Sequence, residues 1–517
     1  MTHEGGAPEW GTTWPPFAEF CALGDTHRVV PVVRRLFADA LTPVAVYSAL
    51  AEERPGTFIL ESAHPDGSRS RFSFIGVHSR ATLTASDGHA RWHGDVPQGL
   101  TSGPPMEAIR SALEHMASEA IPGLPPLTGG LVGALGWDVV REWEPTLPAN
   151  APEGLALPDV VLLFATDIAA VDHVDGSVWL IANAVNADGA PERIDEAYAD
   201  ALTRLDRMQA ALEEIDLSAV TEVDSADVDV PISAFTSPGE YVHTVEKAQE
   251  AIRDGEVFQV VPSQRFDVEC AASPLDVYRM LRTLNPSPYL YYFQLEDLDG
   301  QPFAIVGSSP ESLVTVRDRD VSTFPIAGSR PRGATPGADA DLEKELRADP
   351  KEIAEHVMLV DLARNDLVKV CTPTSVEVSE FTAVHRYSHV MHICSTVVGT
   401  LEEQYTPVDA FMAVFPAGTL SGAPKPRAIA LIDEYEPVRR GFYGGTVGYF
   451  DFAGNADLAI AIRTAVIRDH VAHVQAGAGI VADSVPEREE QETRDKAAAM
   501  VRAVAQAAQF SRVRHVD

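Results

Sequence analysis

Two stretches of this 517-residue chain carry carboxylates at a spacing that suits a cation. DPKEIAEHVMLVDLARND, residues 349–366, holds Glu352, Glu355 and His356; SVPEREEQETRDKAAAMVRAV, from Ser484 onward, holds Glu489 and Glu492. In a helix, residues three and four apart share a face. Asp349 reads as the cap of the first helix, with Pro350 at its first position. Glu352, three residues after that cap, also suits a capping box, where a carboxylate closes the first turn and favours the dipole. Glu489 and Glu492 equally suit a solvated acidic first turn after a cap at Ser484. Together, however, two Glu-x-x-Glu pairs on two helices could converge on one hard cation. All-oxygen donors suit Mg²⁺, which takes one or two direct carboxylates and keeps water or substrate oxygens. A zinc site of the HxxEH kind would need histidine at position 352 and fails.

The elements that must position these residues are legible in outline. Residues 191–215 read as a helix, because Ile194, Tyr198, Leu202, Leu205, Met208 and Leu212 recur at spacings of three and four. An acidic stretch without helical period, residues 216–236, reads as a linker or surface crossing between regions 1–215 and 237–517. Ser237, Pro238 and Glu240 then form a capping box, and Gly255 stops that helix. Strand patterns follow in EVFQVV, YLYYF, FAIVG, YGGTVGYFDF, LAIAIRTAVI and HVAHVQAG, the last three as an antiparallel meander. TFILES, RFSFIG and GLVGALGW supply strands earlier, with a helix near 106–118. Runs of strands with a few long helices predict an α+β fold rather than βαβ units.

Composition limits the chemistry. A net charge of −36 repels phosphate backbones, so nucleic acid is excluded as a partner. An anionic substrate would need a local cluster of arginine, backbone N–H groups or metal. No apolar run spans a bilayer; DVVLLFATDIAAV is broken by Asp167. The first residues lack the basic start and apolar core of a secretory signal. Cys21, Cys270, Cys371 and Cys394 form no CxxC, which predicts reduced thiols and a cytoplasmic setting.

In ordered motifs from residue 55 to 505 the chain resembles the chorismate-utilising enzymes. The motifs are LES at 60–62, RFSFIG at 71–76, GEVFQVVPSQRF at 255–266, NPSPYLYYF at 285–293 and GSSPES at 307–312. PIAGSRPRG at 325–333, KEIAEHVMLVDLARNDL at 351–367, YSHVMH at 387–392 and GTLSGAPK at 418–425 continue the series. YGGTVGY at 443–449, AIAIRTA at 459–465 and GAGIVADSVPEREEQETRDKA at 477–497 complete it. The resemblance implies the chorismate-binding enzyme fold: large antiparallel sheets packed as a sandwich with helices outside.

Two positions bear on the branch. Members that add water to chorismate have a lysine where this chain has Gln259. A lysine of lowered pKa can take a proton from water, whereas a glutamine amide cannot, which favours ammonia as nucleophile. Ala327 stands where the para-aminating members have a lysine. The resemblance therefore implies the ortho route of tryptophan biosynthesis, chorismate and ammonia to anthranilate and pyruvate. Enzymes that stop at 2-amino-2-deoxyisochorismate, or that make 4-amino-4-deoxychorismate, remain the alternatives. GTLSGAPK lacks the spacing of a phosphate loop; a glycine-rich turn offering N–H groups to a carboxylate fits better.

The resemblance also distributes roles. Glu355 and Glu492 would bind Mg²⁺ directly, and Glu352 and Glu489 through water. Arg463 would pair with the enolpyruvyl carboxylate, helped by Thr419, Tyr443, Gly328 and the N–H groups of Gly477, Ala478 and Gly479. Lys496 would pair with the acidic cluster or a substrate carboxylate. Glu311 would be the general acid for the departing C4 hydroxyl, which requires a raised pKa. His392 would take part in pyruvate loss; His356 and His389 are read as structural. No cysteine lies in a GxCxG elbow, so ammonia is expected from a separate glutamine amidotransferase subunit, in a heterotetramer of two copies of each. Glu61, Ser62, Pro288, Tyr289, Leu290 and Tyr449 match a tryptophan site for feedback inhibition, within a regulatory region 1–215 that precedes a catalytic region 237–517.

Overall fold

The computed structural model describes residues 8–63, 71–187, 193–215, 221–223, 233–237, 239–386 and 390–512. Two long strands, Phe72–Ser86 and Val160–Asp172, organise it. They pair antiparallel along almost their whole length and shift register between Gly76 and Ala81. Bulges of this kind bend a strand and let it leave one sheet for another. On one side of the bend the sheet continues through Thr57–Glu61, Tyr289–Glu296, Pro302–Ser309, Thr464–Arg468, Val471–Gly477 and Ser263–Glu269. On the other side it continues through Gly130–Leu135, Thr446–Asp451, Ala456–Ile460, Ser312–Arg317, Asp320–Thr323 and Val390–Thr400. All these pairs are antiparallel.

The two sheets face each other. Phe58, Phe74, Phe293 and Phe303 of the first share one apolar cluster with Val132, Leu163, Val447 and Ala459 of the second. Side chains alternate along a strand, so Leu163 points into this interior while its neighbour Phe164 joins an outer cluster. Helices cover those outer faces. Tyr278 and Leu281 of Pro274–Leu284 and Met500 and Val504 of Pro486–Ala507 pack with Tyr292, Val306 and Val474. Phe411 of Pro407–Val414 and Ile429 of Lys425–Tyr435 lie in the cluster of Val314 and Phe450. The predicted α+β sandwich with outer helices is the observed fold.

A second crossing makes the site. Pro302–Ser309 belongs to the first sheet and Ser312–Arg317 to the second; Pro310 and Glu311 bridge them. Beside them, Ala456–Ile460 and Thr464–Arg468 also lie in different sheets, bridged by residues 461–463. Two hydrogen bonds tie the bridges together: Ile460 N–H to the Glu311 carbonyl at 3.0 Å, and Ser308 N–H to the Arg463 carbonyl at 3.2 Å. Glu311 and Arg463 thus come from adjacent chains crossing the same rim.

Four local expectations need correction. LAIAIRTAVI is not one strand: Arg463 has φ 52° at the break, because the chain must turn there to change sheets. EVFQVV pairs only over Gln259–Val260, against Gly422–Ala423. Its N–H groups go to different loops, Phe258 to Ala423 at 2.7 Å, Val260 to Ile480 at 3.2 Å and Val261 to Ser421 at 3.1 Å, and Phe258 is 75% exposed. The helix expected at Ser237 begins at Glu240 after Gly239, whose φ of 85° is left-handed; Glu240 does accept the Ser237 N–H at 2.9 Å. The last long helix is capped by Val485, since the Ser484 hydroxyl turns back to the Val481 N–H at 3.2 Å. Within the expected linker, Thr221–Val223 pairs with Phe510–Arg512 and Ser233–Ala234 with residues 266–267; residues 216–220 and 224–232, Pro238 and His389 lie outside the described residues.

Candidate active site

Glu311 is held at both ends. Its N–H donates to Ser309 Oγ at 3.3 Å, and its carboxylate accepts the Thr419 hydroxyl at 3.1 Å. Burial raises its pKa, opposed by the Thr419 bond and by the charges of Lys496 and Arg463. The direction is the one a general acid requires. Thr419 lies in the turn Gly418–Leu420. In this turn the Leu420 and Ser421 N–H groups both turn inward to the Ala417 carbonyl, so those two do not face a ligand. The Thr419 hydroxyl is the group of this turn that meets Glu311. Glycine at 422 serves backbone approach, since a Cβ there would lie 2.1 Å from the Gln259 carbonyl.

Arg463 is poised rather than paired. Among the described residues its guanidinium makes no hydrogen bond or ion pair, while Glu311, Tyr443 and Glu492 lend it negative field against the cost of burial. A partly buried arginine with free donors is an anion site by construction. Tyr443 packs against Gly477, and burial raises its pKa. Lys496 donates to the Gly477 carbonyl and pairs with Glu492, both at 2.8 Å. Of the three N–H groups expected to face a ligand at 477–479, the one at Ala478 does not. It donates to the Tyr241 hydroxyl at 3.2 Å and approaches the Pro262 carbonyl at 3.3 Å. Gly479 sits over Gln259, whose amide nitrogen would be 2.7 Å from a Cβ there.

Gln259 donates to Glu355 at 3.3 Å, and its own buried Oε1 has no partner among the described residues. An orphaned acceptor in a site is a docking point for a donor. Burial raises the Glu355 pKa, helped by the negative charges of Glu352 and Glu492. Glu489 is raised likewise by burial and then by Glu492. The carboxylates of the helices Pro350–Leu367 and Pro486–Ala507 therefore feel one another. Asp349 caps the first helix as expected, accepting from Lys351 at 3.0 Å and Glu352 at 3.4 Å. Glu352 leans on Arg330 at 3.4 Å, beside Gly328. Among the described residues no group of three histidine, cysteine, aspartate or glutamate side chains converges tightly enough to hold a metal. Mutual repulsion in an all-oxygen set is nonetheless the chemistry a hard divalent cation relieves.

His392 lies on Val390–Thr400 and bonds Ser329 Oγ at 2.8 Å. Burial pushes its pKa down to about 4, against a hydrogen bond with the Gly328 backbone and helped by Arg463. Its imidazole is neutral at pH 7, with burial making it a weaker base than an exposed histidine. His356 is fully buried, bonded to Ser395 Oγ at 2.6 Å, and also pushed to about 4 by burial.

Sequence reasoning missed the supports behind these groups. Tyr241 is buried, donating to the Pro262 carbonyl at 3.0 Å as it receives Ala478 N–H. Arg440 and Glu436 form an ion pair at 2.6 Å with side chains 1% and 3% exposed. Arg440 also donates to the Leu420 carbonyl at 2.8 Å and the Val261 carbonyl at 2.6 Å. Glu436 accepts both the N–H and the hydroxyl of Ser263 at 2.8 Å. The pair staples the loop of Thr419 to the loop of Gln259. Its only signal was two opposite charges four apart.

A separate cavity of about 740 Å³ gathers Glu61, Ser62, Pro288, Tyr289, Leu290 and Tyr449. Glu61 is already engaged by Tyr278 and by Arg282 at 2.9 Å. Among the described residues the buried Ser62 Oγ has no partner, and Tyr289 donates to Asp457 at 2.9 Å.

The chain is similar over nearly its whole length to known proteins. The chorismate binding enzyme family profile matches residues 24–502. Anthranilate synthase component 1 of Arthrobacter globiformis is 54% identical, over 96% of this chain and 93% of that protein. Its counterpart in Mycolicibacterium smegmatis is 55% identical over 95% and 93%. The crystal structure of anthranilate synthase component I from Streptococcus pneumoniae aligns with TM-score 0.71 and 33% identity, covering 90% of this chain and 98% of that one.

Proposed function

The chain belongs to the chorismate binding enzyme family, in its anthranilate synthase component 1 group, and from that premise we propose how its residues convert chorismate and ammonia to anthranilate, pyruvate and water. The observation that carries the reading is the rim crossing, which sets an acid of raised pKa beside a free, partly buried guanidinium. Arg463, with Tyr443 and Thr419, receives the enolpyruvyl carboxylate. Glu311 gives its proton to the C4 hydroxyl, which departs as water while ammonia adds at C2. Gln259 can orient ammonia through its unpartnered Oε1 but cannot deprotonate water, which disfavours hydroxylation. Neutral His392 then takes a ring proton as pyruvate leaves. Glu355 and Glu492, with Glu352 and Glu489 behind them, are the residues to hold Mg²⁺. When bound, it supplies Lewis-acid polarisation of a substrate carboxylate.

Chorismate, ammonium chloride and Mg²⁺ test the reading: equal amounts of fluorescent anthranilate and pyruvate are expected. A non-fluorescent amino product would move the chain to the 2-amino-2-deoxyisochorismate or 4-amino-4-deoxychorismate alternative, and no turnover would reject both. Chelation should abolish activity and Mg²⁺ restore it. Glu355→Gln should raise the Mg²⁺ concentration for half-activity by at least about tenfold; an unchanged Mg²⁺ titration would remove Glu355 from the metal site.

A glutaminase partner fits the cysteines. Cys270 and Cys371 are buried thiols raised by that burial, Cys371 to about 11, the reverse of an activated nucleophile. Ammonia would come from a glutamine amidotransferase subunit, in an assembly of two copies of each chain in the cytoplasm. Among the described residues no helix is long and apolar enough to cross a membrane. Tryptophan would occupy the 740 Å³ cavity as feedback inhibitor, favouring an arrangement poorer in chorismate binding. Because Ser62 Oγ awaits a partner there, Ser62→Val should raise the inhibitory concentration of tryptophan about tenfold, one lost buried hydrogen bond. The KM for chorismate should hold; equal inhibition of variant and wild type would refute the site.

A further inference from the structure

Two buried hydroxyls beside Glu311 have no part in the reaction above. Ser312 Oγ and Thr323 Oγ1 lack a hydrogen-bond partner among the described residues, and the two residues are only 7% and 5% exposed. Ser312 follows Glu311 in the chain and opens the strand Ser312–Arg317; Thr323 closes the neighbouring strand Asp320–Thr323. The two strands pair antiparallel, which brings the start of one near the end of the other. A cavity of about 70 Å³ lies there, walled by both residues together with Leu359, Ile460, Thr419 and Glu311. Asp366 also lines it, but its two oxygens are taken by Lys369 at 2.8 Å and Lys425 at 2.9 Å. Glu311 keeps an acceptor in hand: Thr419 takes Oε2 at 3.1 Å, and no described residue bonds Oε1.

Resting on the reading of Glu311 as the general acid, we propose that this cavity holds an ordered water, bonded to Ser312, Thr323 and Glu311, through which the acid regains its proton after each turnover. A buried hydroxyl left unpaired is costly, and the large majority of buried side-chain polar atoms find a partner in protein or ordered water. A water takes about 30 Å³ and makes about three hydrogen bonds, so the cavity holds one or two, and three polar side chains meet the need of one. An all-apolar wall would leave such a space dry. Each hydroxyl can donate or accept, so either can follow the proton. The proton balance calls for such a donor. As the C4–O bond breaks, Glu311 gives its proton to that oxygen, which leaves as water. Ammonia forms its bond to C2, and the nitrogen, now an ammonium, releases one proton to solvent. Glu311 is left as a carboxylate. The cavity water gives it a proton and takes one from solvent in turn, so the count closes without a further reactant.

Thr323→Val tests this by removing one hydroxyl at nearly constant shape. With a water there, kcat should fall about tenfold while KM for chorismate and for ammonia hold, one hydrogen bond of the relay being lost. The solvent deuterium isotope effect on kcat should rise, because reprotonation becomes limiting. Thr323→Ser should restore both, and Ser312→Ala should repeat the loss if Thr323→Val fails to fold. A crystal structure should show a water within about 3 Å of Glu311 and of Ser312 Oγ or Thr323 Oγ1. A dry cavity would overturn the proposal. So would Thr323→Val with unchanged kcat and a raised melting temperature, the result expected when an orphaned hydroxyl is simply replaced by an apolar group. Glu311→Gln keeps the two readings apart. If that variant retains kcat, the acid role falls; a dry cavity beside an essential Glu311 removes the water alone.

Discussion

Glu311→Gln is expected to lower kcat about a thousandfold, with KM for chorismate nearly unchanged. Glutamine keeps the shape and can still accept the Thr419 hydroxyl, so the site should stay assembled. What it loses is the proton for the C4 oxygen. The pH profile checks the cause. Glu311 works protonated, and burial raises its pKa, so wild-type kcat should fall as pH rises through that value. The variant has no group to titrate there and should lack that limb. Supplied with 2-amino-2-deoxyisochorismate, it should still release pyruvate, because the later step draws on His392. A variant within threefold of wild type would remove Glu311 from the role.

Arg440→Met is expected to cost about 3–5 kcal/mol of stability, since it leaves the Glu436 carboxylate buried without its counter-charge. Denaturant unfolding measures this as a lowered midpoint. Arg440→Lys should recover little. One planar guanidinium serves the Leu420 and Val261 carbonyls and Glu436 while lying 4.2 Å over the Trp137 ring. An ammonium point charge cannot span that fork. Pairing Arg440→Met with Glu436→Gln should return part of the loss, because the stranded charge is gone. Stability equal to wild type in the single variant would show the pair to be dispensable.

The sequence was most informative where the physics is local. Asp349 caps its helix because cap, proline and glutamate are neighbours in the chain. The helix Ile194–Glu213 follows from its own apolar spacing. The break at Arg463 was not legible, because alternation within AIAIRTAV says nothing of which sheet each half will join; that is decided by strands at 302–309 and 312–317. EVFQVV has strand composition, yet its partners are two segments distant in sequence, 421–423 and Ile480. Nothing in the sequence around Tyr241 marks it out, and only the fold places its hydroxyl under Ala478. Residue types at the site could be read by resemblance; their supports could not, being long-range.

The interleaving of the sheets bears on how the chain is made. Gly130–Leu135 lies between Val160–Asp172 and Thr446–Asp451, and Thr57–Glu61 between Phe72–Ser86 and Tyr289–Glu296. Early strands therefore wait for partners that the ribosome has yet to deliver, for roughly tens of seconds at ordinary synthesis rates. During that interval a nascent first half presents open β-edges, the surfaces that invite intermolecular pairing.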